Sequence, residues 1–212
     1  MHATGEFRTI KVAEPLRPDE IHVWQVARPK GVRREPLLAL LAGYLGVAVG
    51  DVALTTGEHG RPALARPLAG RLDFNWSHSG ELALVALAHG VAPGIDIELV
   101  RTRASALEIA ERFFTHAESA WLRSLEGERQ QRAFFELWTA HEAVLKATGK
   151  GISFGLDRLA FAATAQGMAL CHLDGDDPAA WHVHPLEVGA AAVATLAWRG
   201  APRRIRCYPL AP

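Results

Sequence analysis

The sequence predicts an α+β fold made of two halves of similar size. In the first half, strand-like segments surround one helix, and in the second half two helices precede a further series of strands. The strand predictions rest on apolar residues that recur with a period of two, and the helix predictions rest on longer apolar stretches with start and stop signals. With 212 residues, 49% of them hydrophobic, the chain is long enough to bury a substantial core.

The first half begins its regular structure at residues 21–27, where apolar residues alternate with others as in a strand. Residues 36–49 predict a helix, because Pro36 suits a first turn and Gly50 can end it. Further strands are predicted at residues 52–55, 72–76, 82–88 and 94–98. Turn residues precede the last of these strands, so we divide the chain into an N-terminal subdomain, 1–93, and a C-terminal subdomain, 94–212.

The second half opens with helices. Thr115 and Glu118 have the spacing of a capping box for a helix that continues to residue 124. Residues 128–148 predict a longer helix that Gly149 ends. Strands are then predicted at residues 156–163, 168–173, 181–188 and 191–198. The two halves share no convincing sequence identity, so a duplication is suggested only by this order of elements.

Charge and composition exclude several classes of function. The chain has 23 Lys and Arg residues and 23 Asp and Glu residues, so we expect no field that would bind nucleic acid or an anionic membrane. Cys171 and Cys207 lack the spacing of a metal or disulfide site. No apolar run reaches the roughly 20 residues of a membrane span, and the first 20 residues lack the apolar stretch of a secretory signal. We therefore expect a cytoplasmic protein.

The segment with the most specific chemistry is residues 94–98, Gly-Ile-Asp-Ile-Glu. On a strand, Asp96 and Glu98 share one face, with Cα atoms about 7 Å apart, while Ile95 and Ile97 share the other. Two carboxylates held in this way favour a cation, and oxygen ligands without nearby Cys or His suit magnesium. The alternative is a strand edge whose acids simply point into water.

The long helix supplies a third carboxylate. Trp138, Glu142 and Lys146 lie at i, i+4 and i+8 and therefore on one helix face. By itself such a Glu–Lys pair is typical of a solvated helix surface. His141 and Glu142 do not form a zinc-protease motif, because Leu145 stands where the second His is required.

Residues 75–80, Asn-Trp-Ser-His-Ser-Gly, place polar groups at a strand end, where they can hold a phosphate. They do not form the nucleophile elbow of a serine hydrolase, because another strand follows instead of a helix. His182 and His184 share a strand face, but without a third ligand they are typical of a surface pair.

Taken in order, four motifs resemble the surfactin-synthetase-activating type of 4'-phosphopantetheinyl transferase. The motifs are Gly60-Arg61-Pro62, then residues 74–80, then residues 94–98, and then Trp138-Thr139 with Glu142-Ala143 and Lys146. The match covers roughly residues 45–165. This resemblance implies two similar α/β subdomains related by a pseudo-twofold axis, with coenzyme A and a magnesium ion in the cleft between them.

The resemblance also implies the reaction and its partners. The enzyme would transfer the 4'-phosphopantetheine group of coenzyme A to a serine of an apo acyl or peptidyl carrier protein and release 3',5'-ADP. Asp96, Glu98 and Glu142 would hold magnesium, Lys146 would neutralise charge on the leaving group, and Glu142 would take the serine proton. We expect it to act as a monomer.

Coenzyme A would be held by basic and polar residues. The resemblance assigns the phosphates to Ser77 and His78 and pairs Arg61 with one of them. Arg61 and His141 both stand where the family often has Lys, so a cation at position 141 would depend on pH. A basic segment of larger relatives is missing after the first strand, and Lys30, Arg33 or Arg34 would replace it.

Carrier docking is expected beside the helix that the Thr115 and Glu118 capping box opens. Trp121 and Arg123 are the candidates there, whereas Phe113 and Phe114 are equally consistent with core packing. Two other functions remain open at this point: a nucleotide pyrophosphatase that uses the same acids with water, and a catalytically weak protein that binds coenzyme A.

Overall fold

The computed structural model describes residues 14–27, 34–57 and 59–209, and it confirms the α+β fold. The strands are β1 (Glu20–Ala27), β2 (Leu54–Thr56), β3 (Pro62–Leu64), β4 (Asp73–Ser79), β5 (Leu82–Ala88), β6 (Gly94–Leu99), β7 (Leu159–Thr164), β8 (Gly167–Leu173), β9 (Trp181–Leu186), β10 (Ala192–Arg199) and β11 (Arg204–Pro209). The helices are α1 (Glu35–Leu45), α2 (Ala106–Phe113), α3 (His116–Arg123) and α4 (Gly127–Thr148).

The two halves have the same topology. In the first, β1, α1, the β2–β3 hairpin, β4 and β5 follow one another, and the strands pair in the order β1-β5-β4. In the second, β6, α4, the β7–β8 hairpin, β9 and β10 occur in the same order, with α2 and α3 added between β6 and α4, and the strands pair in the order β6-β10-β9. This repeated strand–helix–hairpin–strand–strand order supports the two similar subdomains that the resemblance implied.

Three apolar cores hold these layers together. The first core lies between α1 and one face of β1, β4 and β5, and the second lies between α4 and the sheet of β6, β10 and β9, with α2, α3 and the β7–β8 hairpin. The interface core joins the remaining faces of the two sheets and contains Ile21, Val23, Leu84, Ile95, Ile97 and Leu196. Alternate residues of β1 and β5 therefore serve different cores, as the period-two pattern predicts.

Several element boundaries differ from the sequence predictions. α1 ends at Leu45 rather than at residue 49, because Gly46 adopts a left-handed conformation with φ of 67° and caps the helix. The strand predicted from residue 156 begins at Leu159, after a short 3-10 turn over Leu156–Arg158. The sequence analysis gave no element at α2 or β3.

The strand β11 was also not predicted. It follows the second half in sequence but pairs in parallel with β1 in the first sheet, with Glu20 opposite Arg204 and Val23 opposite Cys207. The predicted division at residue 93 therefore does not separate the two sheets completely, because β11 belongs to the first sheet. The division remains a prediction. Within the described residues, no helix is long and apolar enough to cross a membrane.

Candidate active site

The strand β6 presents its carboxylates toward α4. Ile95 and Ile97 are fully buried in the interface core, and Asp96 and Glu98 lie on the opposite face. Asp96 is only 5% exposed, and Glu98 is half-buried. The predicted separation of the two faces is confirmed, and although β6 is an edge strand of its sheet, α4 packs on the face that carries the acids.

Gly94 sets the distance between β6 and α4. A Cβ atom at this position would collide with the carbonyl oxygen of Ala143 and would lie 2.5 Å from the nitrogen of Ala147. Only glycine lets the two backbones approach so closely. This contact brings the helix face that carries Glu142 and Lys146 over Asp96.

Asp96 is held by two donors on one of its oxygens. The Lys146 Nζ atom lies 2.6 Å from Asp96 Oδ1, and it also donates to the carbonyl of Ile95 at 3.2 Å. The Ser77 hydroxyl donates to the same Oδ1 at 2.7 Å. The other oxygen, Oδ2, is buried and makes no hydrogen bond within the structure. A buried carboxylate oxygen without a donor is costly unless a cation reaches it.

Glu142, like Asp96, has a buried carboxylate oxygen that accepts no hydrogen bond from the described residues. Its side chain is 8% exposed, and the buried oxygen is Oε1. Burial raises the pKa of Glu142 to about 7, the charges of Asp96 and Glu98 contribute to the rise, and Lys146 opposes it. The negative charges of Asp96 and Glu98 therefore act on the pKa of Glu142. The Lys146 ammonium, which lies 2.6 Å from Asp96 Oδ1, acts on it in the opposite direction.

The predicted metal ligands do not form a complete metal cluster in this conformation. Within residues 14–27, 34–57 and 59–209, no three His, Cys, Asp or Glu side chains are arranged to hold a metal ion. The donor set still fits a hard cation: all three ligands are carboxylates, and two buried oxygens, on Asp96 and Glu142, have no donor. The residue types therefore suit a hard cation, but their side chains are not arranged around one in this conformation.

A cavity of about 420 Å³ opens beside these groups. It is lined by four of the predicted site residues, Arg34, Arg61, Glu142 and Lys146, together with Trp76 and other side chains. A pocket of this size that joins basic side chains to a carboxylate can take a phosphorylated small molecule. Two of the residues proposed to replace the missing basic segment, Lys30 and Arg33, lie outside the described residues.

Arg61 contacts protein carbonyls in this structure. Its guanidinium donates to the carbonyls of Lys146, Phe74 and Pro93, the last two at 3.1 and 2.8 Å. Burial lowers the pKa of Arg61, although the nearby Asp73 opposes the change. These bonds tie the end of α4 to β4, so Arg61 supports the position of Lys146, and its predicted pairing with a phosphate stays a prediction.

Ser77 and His78 lie on opposite faces of β4. Ser77 is buried and serves Asp96, whereas the sequence analysis assigned its hydroxyl to a phosphate. His78 is exposed, and its ring centre lies 5.5 Å from that of Trp76, which lines the cavity. The Ser77 hydroxyl is engaged by Asp96 in this structure and His78 is exposed, and the predicted phosphate contacts of both residues stay predictions.

His141 lies outside the site although it precedes Glu142. It is fully buried, its Nε2 atom lies 2.9 Å from Glu118 Oε1, and its ring stacks on Phe114 at 4.7 Å. Glu118 also completes the predicted capping box with Thr115, which is confirmed. His141 is therefore part of the second core and does not supply a cation beside the carboxylates.

The other candidate residues fall into two groups. His182 and His184 stack on Trp198, at 4.9 and 5.0 Å between ring centres, and make no metal cluster among the described residues.

Near the expected docking surface, Phe114 is buried in the second core, but Phe113 is 42% exposed. Trp121 packs partly on the second core, whereas Arg123 is exposed and pairs with Glu111 at 2.8 Å on the surface.

Two further polar side chains of β4, which were not among the predicted site residues, reach β6. Asn75 accepts a hydrogen bond from the nitrogen of Ile95 at 2.9 Å, and Ser79 donates to Glu98 at 2.8 Å. The signal was available in the alternation of polar residues at positions 75, 77 and 79 of β4. This alternation does not identify β6 as the strand that these side chains contact, because β4 and β6 belong to different sheets.

Comparisons with known proteins give a consistent result. Residues 92–197 match the family model of the 4'-phosphopantetheinyl transferase superfamily. The 4'-phosphopantetheinyl transferase HetI of Nostoc sp. strain PCC 7120 is 38% identical over 201 residues, which are 90% of this chain and 81% of HetI. Sfp of Bacillus subtilis strain 168, also a 4'-phosphopantetheinyl transferase, is 37% identical over 107 residues, 50% of this chain and 46% of Sfp. The holo-[acyl-carrier-protein] synthase of Thermotoga maritima aligns with a TM-score of 0.42 and 21% identity, over 54% of this chain and 64% of that chain.

Proposed function

Because the chain belongs to the 4'-phosphopantetheinyl transferase superfamily, we propose that its three acids and Lys146 carry out magnesium-dependent transfer of phosphopantetheine from coenzyme A to a carrier serine. The observation that carries this proposal is the pair of buried oxygens on Asp96 and Glu142 that have no donor, beside the Lys146 ammonium and next to the cavity. Carboxylates in this state are prepared for a cation and an anionic substrate.

The chain's own residues would divide the work as follows. The cavity would hold the nucleotide part of coenzyme A, with Arg34 among its lining residues. Asp96, Glu98 and Glu142 would hold the magnesium ion, which when bound neutralises the diphosphate charge. Lys146 lies next to the same carboxylates, so its ammonium can stabilise negative charge that develops on the leaving 3',5'-ADP.

The reaction needs a base for the carrier serine. Its hydroxyl oxygen attacks the phosphorus that bears the pantetheine, the bond from that phosphorus to the leaving phosphate oxygen breaks, and 3',5'-ADP departs. We assign this role to Glu142, because its side chain lines the cavity, and burial raises its pKa to about 7 in the metal-free chain. A cation held by the same carboxylates would lower that pKa.

The partner would be an acidic carrier protein that docks beside the cleft. The exposed Phe113 ring, with the Arg112 guanidinium 5.1 Å from its centre, offers the apolar and basic groups that such a partner requires. Phe113 and Arg112 extend the docking surface that was predicted from Trp121 and Arg123, since Arg123 is also exposed on the neighbouring helix α3. The cytoplasmic location and the monomeric state are part of the same proposal.

Replacing Asp96 by Ala tests the proposed metal site. We expect Asp96→Ala to abolish transfer to an apo carrier, with an unchanged circular dichroism spectrum, because one of the three carboxylates is lost. Glu128→Ala is a matched control, since Glu128 is an exposed acid near the start of α4. Full transfer activity in folded Asp96→Ala would show that the cation, if one is used, is held elsewhere.

A further inference from the structure

A row of polar side chains on β4 connects the two sheets at the candidate site. Asn75, Ser77 and Ser79 lie two residues apart on one face of this edge strand, and each makes a hydrogen bond to β6. Asn75 holds the backbone of β6, whereas the two serines donate to the carboxylates of Asp96 and Glu98. The connection between the sheets is therefore made by side chains at the place where the acids lie.

The Ser79 hydroxyl has a defined orientation. Its oxygen accepts a hydrogen bond from the backbone nitrogen of Leu99 at 3.1 Å and lies 2.8 Å from Glu98 Oε2. A serine hydroxyl has one proton, and a carboxylate oxygen can only accept. Because the backbone of Leu99 fixes the oxygen, the proton is directed to Glu98 Oε2, and Oε1 is the oxygen that can turn toward a cation.

The backbone after Ser79 is fixed in the same way. Gly80 has φ of +60°, and a Cβ atom there would lie 2.7 Å from the Leu99 Cδ1 atom. The turn that follows Ser79 therefore packs on the residue that follows Glu98. The close approach of Gly80 to the Leu99 side chain and the two hydrogen bonds of Ser79 therefore both keep the end of β4 near the end of β6.

We propose that Ser79 is a positioning residue that holds the Glu98 carboxylate in the orientation required for cation binding. This proposal rests on the proposed function, because it concerns the carboxylate cluster of the same site. Ser79 acts through Glu98 and need not touch the cation or coenzyme A. Hydrogen-bond partners of this kind typically change metal affinity by 10- to 100-fold when they are removed.

The test measures Mn²⁺ binding to the full chain by electron paramagnetic resonance, with 3',5'-ADP present and without any carrier protein. We expect Ser79→Ala to weaken Mn²⁺ binding about 10-fold and Ser79→Thr, which keeps the hydroxyl, to restore it. Ser119→Ala is the matched control, since Ser119 makes one buried hydrogen bond to the carbonyl of Ala110 in the α2–α3 region. It should leave the Mn²⁺ dissociation constant unchanged.

The outcomes separate this proposal from the proposed function. If the unmodified chain transfers phosphopantetheine and binds Mn²⁺ but Ser79→Ala binds Mn²⁺ equally well, the role of Ser79 is refuted and the function stands. A fall in melting temperature without a change in Mn²⁺ affinity would likewise show that Ser79 is only structural. Failure of the unmodified chain to bind Mn²⁺ would overturn both proposals.

Discussion

Glu142→Gln is expected to stabilise the metal-free protein at alkaline pH. The substitution keeps the size of the side chain and removes its charge. In the folded protein the pKa of Glu142 is raised from its ordinary value of 4.5 to about 7, mainly by burial. An acid whose pKa is raised on folding stabilises the fold below its unfolded pKa, and that contribution is lost as pH rises through the folded pKa.

The size of the effect follows from the difference between the two pKa values. At about 1.4 kcal/mol per pH unit, the rise from 4.5 to about 7 corresponds to roughly 3 kcal/mol. The unmodified chain and Glu142→Gln should therefore have similar stability near pH 5. Above pH 8 the variant should be more stable by up to about 3 kcal/mol, or roughly 6 to 12 °C in melting temperature for a protein of this size.

The assay is thermal or urea unfolding of both proteins in EDTA, at intervals from pH 4.5 to pH 8.5. Groups that titrate equally in both proteins cancel in the difference, so the pH dependence of that difference reports Glu142. A difference that stays constant across this range, whatever its size, would refute the argument that Glu142 is a buried acid of raised pKa. Added magnesium should stabilise the unmodified chain and have less effect on Glu142→Gln.

Three further predictions concern other parts of the site. Lys146→Met should abolish transfer but tighten Mn²⁺ binding, because the ammonium next to Asp96 is removed; binding weaker than in the unmodified chain would contradict the proposed arrangement. Gly94→Ala should lower the free energy of unfolding in urea by about 1 to 3 kcal/mol, because the added Cβ atom meets the backbone of α4. The control Gly50→Ala should lower it far less, because the space around Gly50 is open. Phe113→Ser should raise the carrier KM several-fold in steady-state kinetics and leave the coenzyme A KM unchanged; an unchanged carrier KM would place the docking surface elsewhere.

The sequence was sufficient where local pattern determines structure. The alternation in residues 94–98 correctly separated the buried isoleucines from the acids, because side chains on a strand point to opposite faces. The Thr115 and Glu118 spacing correctly predicted the start of α3, because a capping box is formed within one helical turn. The helical spacing of Glu142 and Lys146 likewise placed both side chains on the face of α4 that lines the cavity.

The sequence was insufficient where long-range pairing decides the role of a side chain. The pairing of β11 with β1 joins segments more than 180 residues apart in the chain, and no local pattern specifies it. The partners of Arg61 and Ser77 also lie on elements that the sequence alone does not bring together. The sequence also left the position of His141 open: its neighbour Glu142 faces the cavity, but adjacent residues on a helix point in different directions, and His141 is buried.

The most direct test of the central claim is the mass of an apo carrier protein after incubation with coenzyme A, magnesium and this chain. The account predicts that the carrier gains one phosphopantetheine group, that 3',5'-ADP is released in equal amount, and that neither product forms when EDTA replaces magnesium. Without carrier, coenzyme A should stay intact. An unchanged carrier mass, or cleavage of coenzyme A in the absence of carrier, would contradict the account, and the second result would indicate a pyrophosphatase.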